Sequence, residues 1–126
     1  MFDKIDLFTL SQAAARHAAA RQGTIAQNVA NADTPGYAAR DLAPFSDSYG
    51  GGATPLRQTR AGHLAGSGAN LDLTPQIQRS AASPNGNAVS LEGEMVKSVD
   101  AKRDHDLALA IYKTSLGILR TSLGRR

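Results

Sequence analysis

The middle of this chain sets the terms for the rest. Residues 40–88 hold four of the five prolines, Pro44, Pro55, Pro75 and Pro84, and seven of the twelve glycines, with Gly50, Gly51 and Gly52 in succession. Proline lacks the amide hydrogen that a helix or central strand needs, and glycine loses the most chain entropy on ordering, so such a stretch resists both regular structures. Only the two ends of the 126-residue chain are left to build a core. Aromatic residues make up 5% of it and tryptophan is absent, so the large side chains that usually anchor a core are scarce as well. Stability must come from helices that find partners. The organisation this predicts is a helix and turn over residues 1–37, a linker or irregular segment over 38–88, and a second helix over 89–126.

From Ile5 to about Asn31 the apolar residues Leu7, Leu10, Ala14, Ala18, Ile25 and Val29 recur at steps of three or four, interrupted at Arg21-Gln22. Asp3 and Asp6 suit the positive end of that helix. Its apolar face is thin and rich in alanine, buries little area, and needs a partner lying close. After the turn residues Ser83-Pro84-Asn85-Gly86-Asn87 a second helix begins near Val89. Glu92 and Glu94 favour its start, although Ser90 followed three residues later by Gly93 is no capping box. Further on, Leu109, Tyr112, Leu116, Leu119 and Leu123 follow the three-then-four spacing of a coiled-coil seam. Extended backwards, that register reaches Met95 but passes through Ser98, Lys102 and His105. A second stripe, Leu107, Ile111, Thr114 and Ile118, occupies another face, and Ala110, Gly117 and Gly124 form a line of small residues seven apart. A helix with two apolar faces and a small-residue groove is expected to be enclosed by several neighbours, which other chains would supply. The alternative is a two-helix hairpin with its second face bare. The fold class read from these patterns is all-α, with the N- and C-terminal helices pairing as a coiled coil and a Gly/Pro-rich flexible or irregular segment between them.

Catalytic chemistry finds no footing. His105 lies between Asp104 and Asp106, but adjacent helical residues diverge by about a hundred degrees and cannot converge on one metal ion. His17 and His63 have no base or nucleophile at a useful spacing. The Gly50 to Gly52 run is followed by no Lys-Ser or Lys-Thr, and Gly66-Ser-Gly68 by no helix pattern, so neither makes a phosphate loop. Leu71-Asp-Leu-Thr-Pro alternates well enough to pair as a strand, yet an irregular loop is the simpler reading before a proline. No enzyme, metal or cofactor is expected. The net charge of +3 is dispersed, without the basic stripe and interleaved aromatics that track a phosphate backbone, so nucleic acid is not an expected partner. Arg120, Arg125 and Arg126 instead suit a helix C-terminus. With no cysteine there are no disulfides or thiolate metal sites. The first ten residues are too interrupted by charge for a secretory signal, and no run of about 18 apolar residues is present to span a membrane.

One segment is more specific than all of this: Asn28-Val-Ala-Asn31-Ala-Asp33-Thr34-Pro35-Gly36-Tyr37. Read locally it ends a helix and turns sharply. Asn31 tolerates the left-handed conformation that closes helices, Thr34 is held extended by the proline after it, and Pro35-Gly36 presets a type II turn. As a pattern it resembles the signature of the bacterial flagellar rod and hook family, and Asp33 with Arg40-Asp41 looks most like its proximal rod members. The likeness covers residues 1–45 and 85–126; Ala38-Ala39 departs from the family's usual Lys or Gln followed by Ala. It implies terminal helices paired as an antiparallel or crossed coiled coil, and a structural subunit whose copies stack into a hollow axle on the periplasmic side of the inner membrane. It further implies export by the flagellar type III route without a cleaved signal. The partners implied are further copies of the chain, other rod proteins, the MS-ring protein, the rod-base adaptor and the export gate. The competing reading is a small helical adaptor or export-associated binding module that docks on one partner.

Overall fold

The structure, a computed structural model, describes residues 2–50, 71–79 and 82–124. Gly51, Gly52, Pro55, His63, Gly66-Ser-Gly68, Arg125 and Arg126 lie outside the described residues. In chain order the elements are α1 (Phe2–Ala30), β1 (Arg40–Asp41), α2 (Phe45–Ser48), β2 (Gln76–Ile77) and α3 (Leu91–Ser122). α1 has 29 residues and α3 has 32, so each is a rod about 40–50 Å long at 1.5 Å per residue. They lie side by side and run antiparallel. At one end the Phe8 and Tyr112 rings meet edge to face with centroids 5.3 Å apart; at the other Asn28 donates to Glu94 over 2.8 Å.

Local chemistry explains where α3 starts and stops. Ser90 is its N-cap, and its Oγ accepts from the Gly93 amide, while Glu92 and Glu94 occupy the first turn and Arg120 the last. Gly93 has no side chain to reach back, so Ser90 supplies only half of a capping box. Just beyond the helix, Gly124 takes a φ of +67°, the left-handed closure that glycine adopts without strain.

The helices meet along small residues. On α3 the buried positions are Glu94, Ala101, Ala108 and Ser115, each seven from the next. On α1 Ser11, Ala18 and Ile25 repeat at the same interval, joined by Ala13, His17, Thr24 and Asn28. A seven-residue repeat keeps one stripe of a helix turned toward its partner, and alanine and serine let the two backbones approach closely. Pairing of the two terminal helices therefore holds, but the contact does not run along the leucines. Leu109 and Leu116 each sit one residue past a buried position, about 100° round the helix, and Leu123 is 79% exposed. Tyr112 and Leu119 flank the contact, Tyr112 through Phe8 and Leu119 half-buried. The physical reason is α1, whose inward face offers alanine and serine and so draws in the small residues of α3. Of the α1 stripe, Ile25 is buried while Leu7, Leu10 and Val29 stay partly exposed, at 38–40%.

Among the described residues of the middle segment, two short strands depart from the expected all-α fold. β1 and β2 pair antiparallel, Arg40 opposite Ile77 and Asp41 opposite Gln76, and Tyr49 bridges to Leu71. Such short strands tolerate Pro75 just before β2, because a strand's entry needs no amide hydrogen there. Ala39 and Leu42 are buried, and β1 packs on α1. His17 Nε2 lies 2.8 Å from the Ala43 carbonyl, and its ring meets Phe45 of α2 edge-on at 5.6 Å. The fold is thus mostly helical, with a small two-stranded arm fastened onto α1.

Ala101 is 0% exposed, so Ala101→Leu should force the helices apart and cost about 1–3 kcal/mol. Leu123→Ser, outside the contact, should change stability by less than about 0.5 kcal/mol. Urea unfolding of the two variants followed by circular dichroism measures both; equal midpoints would place the helix contact elsewhere.

Candidate functional site

The signature segment begins inside α1 and leaves it through successive tight turns. The Asn31 amide donates to the carbonyls of Gln27 (3.2 Å) and Asn28 (3.1 Å), Ala32 N to Val29 O (3.2 Å), and Thr34 N to Asn31 O (3.0 Å). Among the described residues positive φ occurs only at glycines, Gly36, Gly50, Gly86 and Gly124. Asn31 therefore does not close the helix left-handed as its type suggests. Its carboxamide instead donates to Gln27 O at 2.8 Å and accepts from the Thr34 hydroxyl at 3.2 Å, which lets the chain tighten while remaining right-handed. The Pro35-Gly36 turn forms as expected: Tyr37 N donates to Thr34 O over 3.3 Å and Gly36 takes φ +73°, matching the third position of a type II turn. Asp33, Thr34, Pro35 and Gly36 are exposed, and Tyr37 is half-buried.

Asn28 goes inward instead. It is 0% exposed, and its carboxamide uses every hydrogen-bonding position it has. Nδ2 donates to Arg40 O at 2.6 Å and to Glu94 Oε2 at 2.8 Å. Oδ1 accepts from Arg40 N at 3.0 Å and, at a longer 3.4 Å, from the Tyr37 hydroxyl. Toward Arg40 the side chain behaves as one more strand, engaging both backbone groups of a single residue where β1 begins. Toward Glu94 it reaches α3. One side chain of α1 thus fixes the returning chain and the partner helix together.

From Glu94 the bonding continues. Glu94 is 2% exposed and its second oxygen accepts from Lys97 Nζ at 2.8 Å. Lys97 also donates to Gln78 Oε1 at 2.6 Å, and Gln78 Nε2 to Asp41 Oδ2 at 3.3 Å. Asp41 holds Arg21 in a two-pronged pair, Nε to Oδ1 at 3.0 Å and the terminal nitrogen to Oδ2 at 3.2 Å, and accepts from Leu42 N at 2.9 Å. The hydrogen bond to Asp41 raises the Arg21 pKa above its ordinary value against the opposing effect of burial. The break that Arg21 makes in the apolar period of α1 is therefore one terminus of a polar chain running from Tyr37 through Asn28, Glu94, Lys97, Gln78 and Asp41. No buried side-chain nitrogen or oxygen among the described residues lacks a partner, the condition under which a buried polar network is tolerable.

A second asparagine latches the turn. Asn87, 3% exposed, donates from Nδ2 to Asn31 O at 2.9 Å and to Thr34 O at 2.7 Å, and its Oδ1 accepts from Val89 N at 2.7 Å. Alongside, Gly36 N donates to Asn85 O at 3.2 Å and Ala88 N to Tyr37 O at 3.0 Å. Asn87 sits in a hairpin closed by Gly86 N to Ser83 O and Ser83 N to Asn87 O, both 2.8 Å. A Cβ on Gly86 would lie 3.4 Å from Gly36 Cα, so the two glycine turns pack directly against each other. Sequence reasoning took Asn87 only as a turn residue and missed Asn28 and Glu94 as a buried pair.

These contacts join elements and expose no nucleophile. Among the described residues no cluster of His, Cys, Asp and Glu could hold a metal ion. Beside the arm, Ala14, His17, Leu42, Phe45, Leu107 and Ile111 line an open cleft of about 590 Å³. No helix among the described residues is long and apolar enough to cross a membrane.

Known proteins resemble this chain in sequence. A family model described as flagella basal body rod protein matches residues 9–37, from within α1 through the signature turn. The chain is 31% identical over 121 residues to the flagellar basal body rod protein FlgB of Agrobacterium fabrum, covering 87% of each chain. It is 28% identical over 127 residues to FlgB of Salmonella typhimurium, covering 92% of each.

Removing the Asn87 carboxamide takes the second donor from the carbonyls of Asn31 and Thr34 and the side-chain acceptor from the Val89 amide, so Asn87→Ala should lower stability by about 1–3 kcal/mol. Gly36→Val places a branched residue at positive φ and should cost a similar 1–3 kcal/mol. Tyr37→Phe loses only the long contact to Asn28 and should cost about 1 kcal/mol or less. Thermal unfolding of the three variants checks the order; a Tyr37→Phe chain as weakened as Gly36→Val would contradict the turn geometry.

Proposed function

The chain belongs to the flagellar basal body rod protein family, and we propose that it is a structural subunit of the proximal rod, polymerising through its terminal helices into the axle of the basal body. The family is structural and not enzymatic, in keeping with contacts that tie helices together. The observation that carries the polymerisation is how much apolar surface the helix pair leaves outward. By their spacing from the buried positions of α3, Leu107, Ile111 and Ile118 flank the contact with α1 on one side and Met95, Leu109 and Leu116 on the other. Ala110 and Gly117 point directly away from α1 by the same spacing. Leu107 is 59% exposed, with Met95, Val96, Val99 and Ile118 exposed to a similar degree, and nothing lies within 4 Å of a Cβ placed on Gly117. Apolar surface on several unlike faces is rarely left bare. It suits head-to-tail contacts, in which different patches of identical or related subunits meet and a helical array grows.

In this reading α1 and α3 form a coiled-coil module that other helices surround. Neighbours are further copies of the chain and other rod proteins, with the MS-ring protein, the rod-base adaptor and the export gate at the proximal end. The work is done in the periplasmic rod, reached by flagellar export. Residues 51–70 fall in the variable middle, where rod subunits need not resemble one another.

Position 117 tests it. Gly117→Ala should be neutral or slightly stabilising, since alanine removes a helix penalty of about 1 kcal/mol. Gly117→Leu should still be exported but should be absent from purified rods and abolish swimming, because a cost of roughly 1–3 kcal/mol per contact recurs at every subunit. Immunoblots of culture supernatant against purified basal bodies separate export from incorporation. Normal rods containing the leucine variant would mean that this face looks outward from the axle, and absence of the wild-type chain from basal bodies would reject the rod assignment itself.

A further inference from the structure

We propose that the buried polar chain is a register lock, which selects one of several nearly equivalent alignments of α1 against α3. The helix contact by itself is close to degenerate. Buried residues on α3 repeat every seven positions as Ala101, Ala108 and Ser115, while α1 buries Ser11, Ala13, His17, Ala18, Thr24 and Ile25. Sliding α3 by one heptad, about 10 Å, puts Ala108 where Ala101 was and Ser115 where Ala108 was. Each exchange is small residue for small residue. At the far end the slide brings Leu119 toward Phe8 in place of Tyr112, one apolar neighbour for another. Packing alone hardly distinguishes the two states.

The polar residues do. After the slide the Asn28 carboxamide faces the methyl group of Ala101, and Glu94 is carried past the end of α1. Nδ2 then loses one of its two acceptors, Lys97 is drawn from Gln78, and the path to Asp41 and Arg21 is cut. The Asn87 latch, which ties the entry of α3 to the carbonyls of Asn31 and Thr34, would have to open as well. Buried polar groups left without partners are costly where exchanged alanines are not, and a lone buried polar pair is known to set alignment in paired helices even when it adds no stability. The same bonds hold Arg40 and Asp41, so the alignment of the helices and the seat of the arm are fixed together.

The chain has no cysteine, so two introduced at exposed Gln27 and Lys113 can carry spin labels without side reactions. In the observed alignment their helix positions are offset by about 19 residues, or about 30 Å along the pair, and a one-heptad slide in the direction described shortens this by about 10 Å. Pulsed electron resonance on the full chain reads the distance. The parent and the Glu94→Gln variant, which keeps an acceptor for Asn28, should each give one population near the longer distance. Joint Asn28→Leu, Glu94→Leu and Asn87→Ala substitution, which removes the latch together with the polar pair, should keep the helical circular dichroism signal and split the distances into two resolved populations. A single population at the parent distance in that triple variant would overturn the lock. Loss of its helical signal would overturn it equally, since the polar pair would then be needed for pairing and not for alignment.

Discussion

The carboxamide of Asn28 is the contact on which the rest of the structure depends. It spends two donors and two acceptor sites on the Arg40 backbone, Glu94 and Tyr37, so it joins α1 to α3, to the start of β1 and to the signature turn at once. A hydrogen bond contributes about 1 kcal/mol net when formed, but a buried group stripped of its partner costs about 1–3 kcal/mol. With four such bonds on one buried amide, the residue acts less as a source of stability than as a condition on geometry. The turn at Gly36, the exit direction of the chain and the depth of Glu94 all satisfy it. Asn87 repeats the device on a smaller scale, holding the last carbonyls of the turn from the far side of the chain.

Much of this was legible in the sequence, and the part that was not follows a pattern. The two helices and the type II turn could be read because their causes are local: period, proline, and a glycine where φ must be positive. Burial of Asn28 could not, since an asparagine three residues before Asn31 near a helix end reads equally well as exposed, and its partners lie 12 and 66 positions along the chain. The seam misled for a different reason. Leucine periodicity marks surface that will be buried by something, and in a chain read alone that something is taken to be the other helix of the hairpin. Here Ala101, Ala108 and Ser115 face α1, because an alanine-rich helix offers a shallow surface that small residues fit closely. The ordered arm was hidden as well: β1 and β2 are each two residues long and are held largely by Gln78, Asp41 and Lys97, residues with no strand signal of their own.

The result is an inverted distribution for a chain of this size. Its interior contacts use small residues and a hydrogen-bonded polar chain, while Leu107, Ile118, Met95, Val96 and Val99 face outward. A free-standing monomer would gain by turning that surface in. The proposed rod subunit has reason to do the opposite, since in that proposal neighbouring subunits cover the apolar faces and a specific internal alignment presents every face at the correct angle. Precision inside and adhesion outside are complementary demands, and family membership supplies the context in which both make sense.

Amide hydrogen exchange at Arg40 and at the Asn28 side chain, read by NMR on the full chain, tests the central claim most directly. If the Asn28 carboxamide clamps Arg40, the Arg40 amide and both side-chain hydrogens of Asn28 should exchange as slowly as the backbone amides in the middle of α3, although Arg40 itself is largely exposed. Exchange of these hydrogens at the rate of an open loop, with α3 still protected, would contradict it.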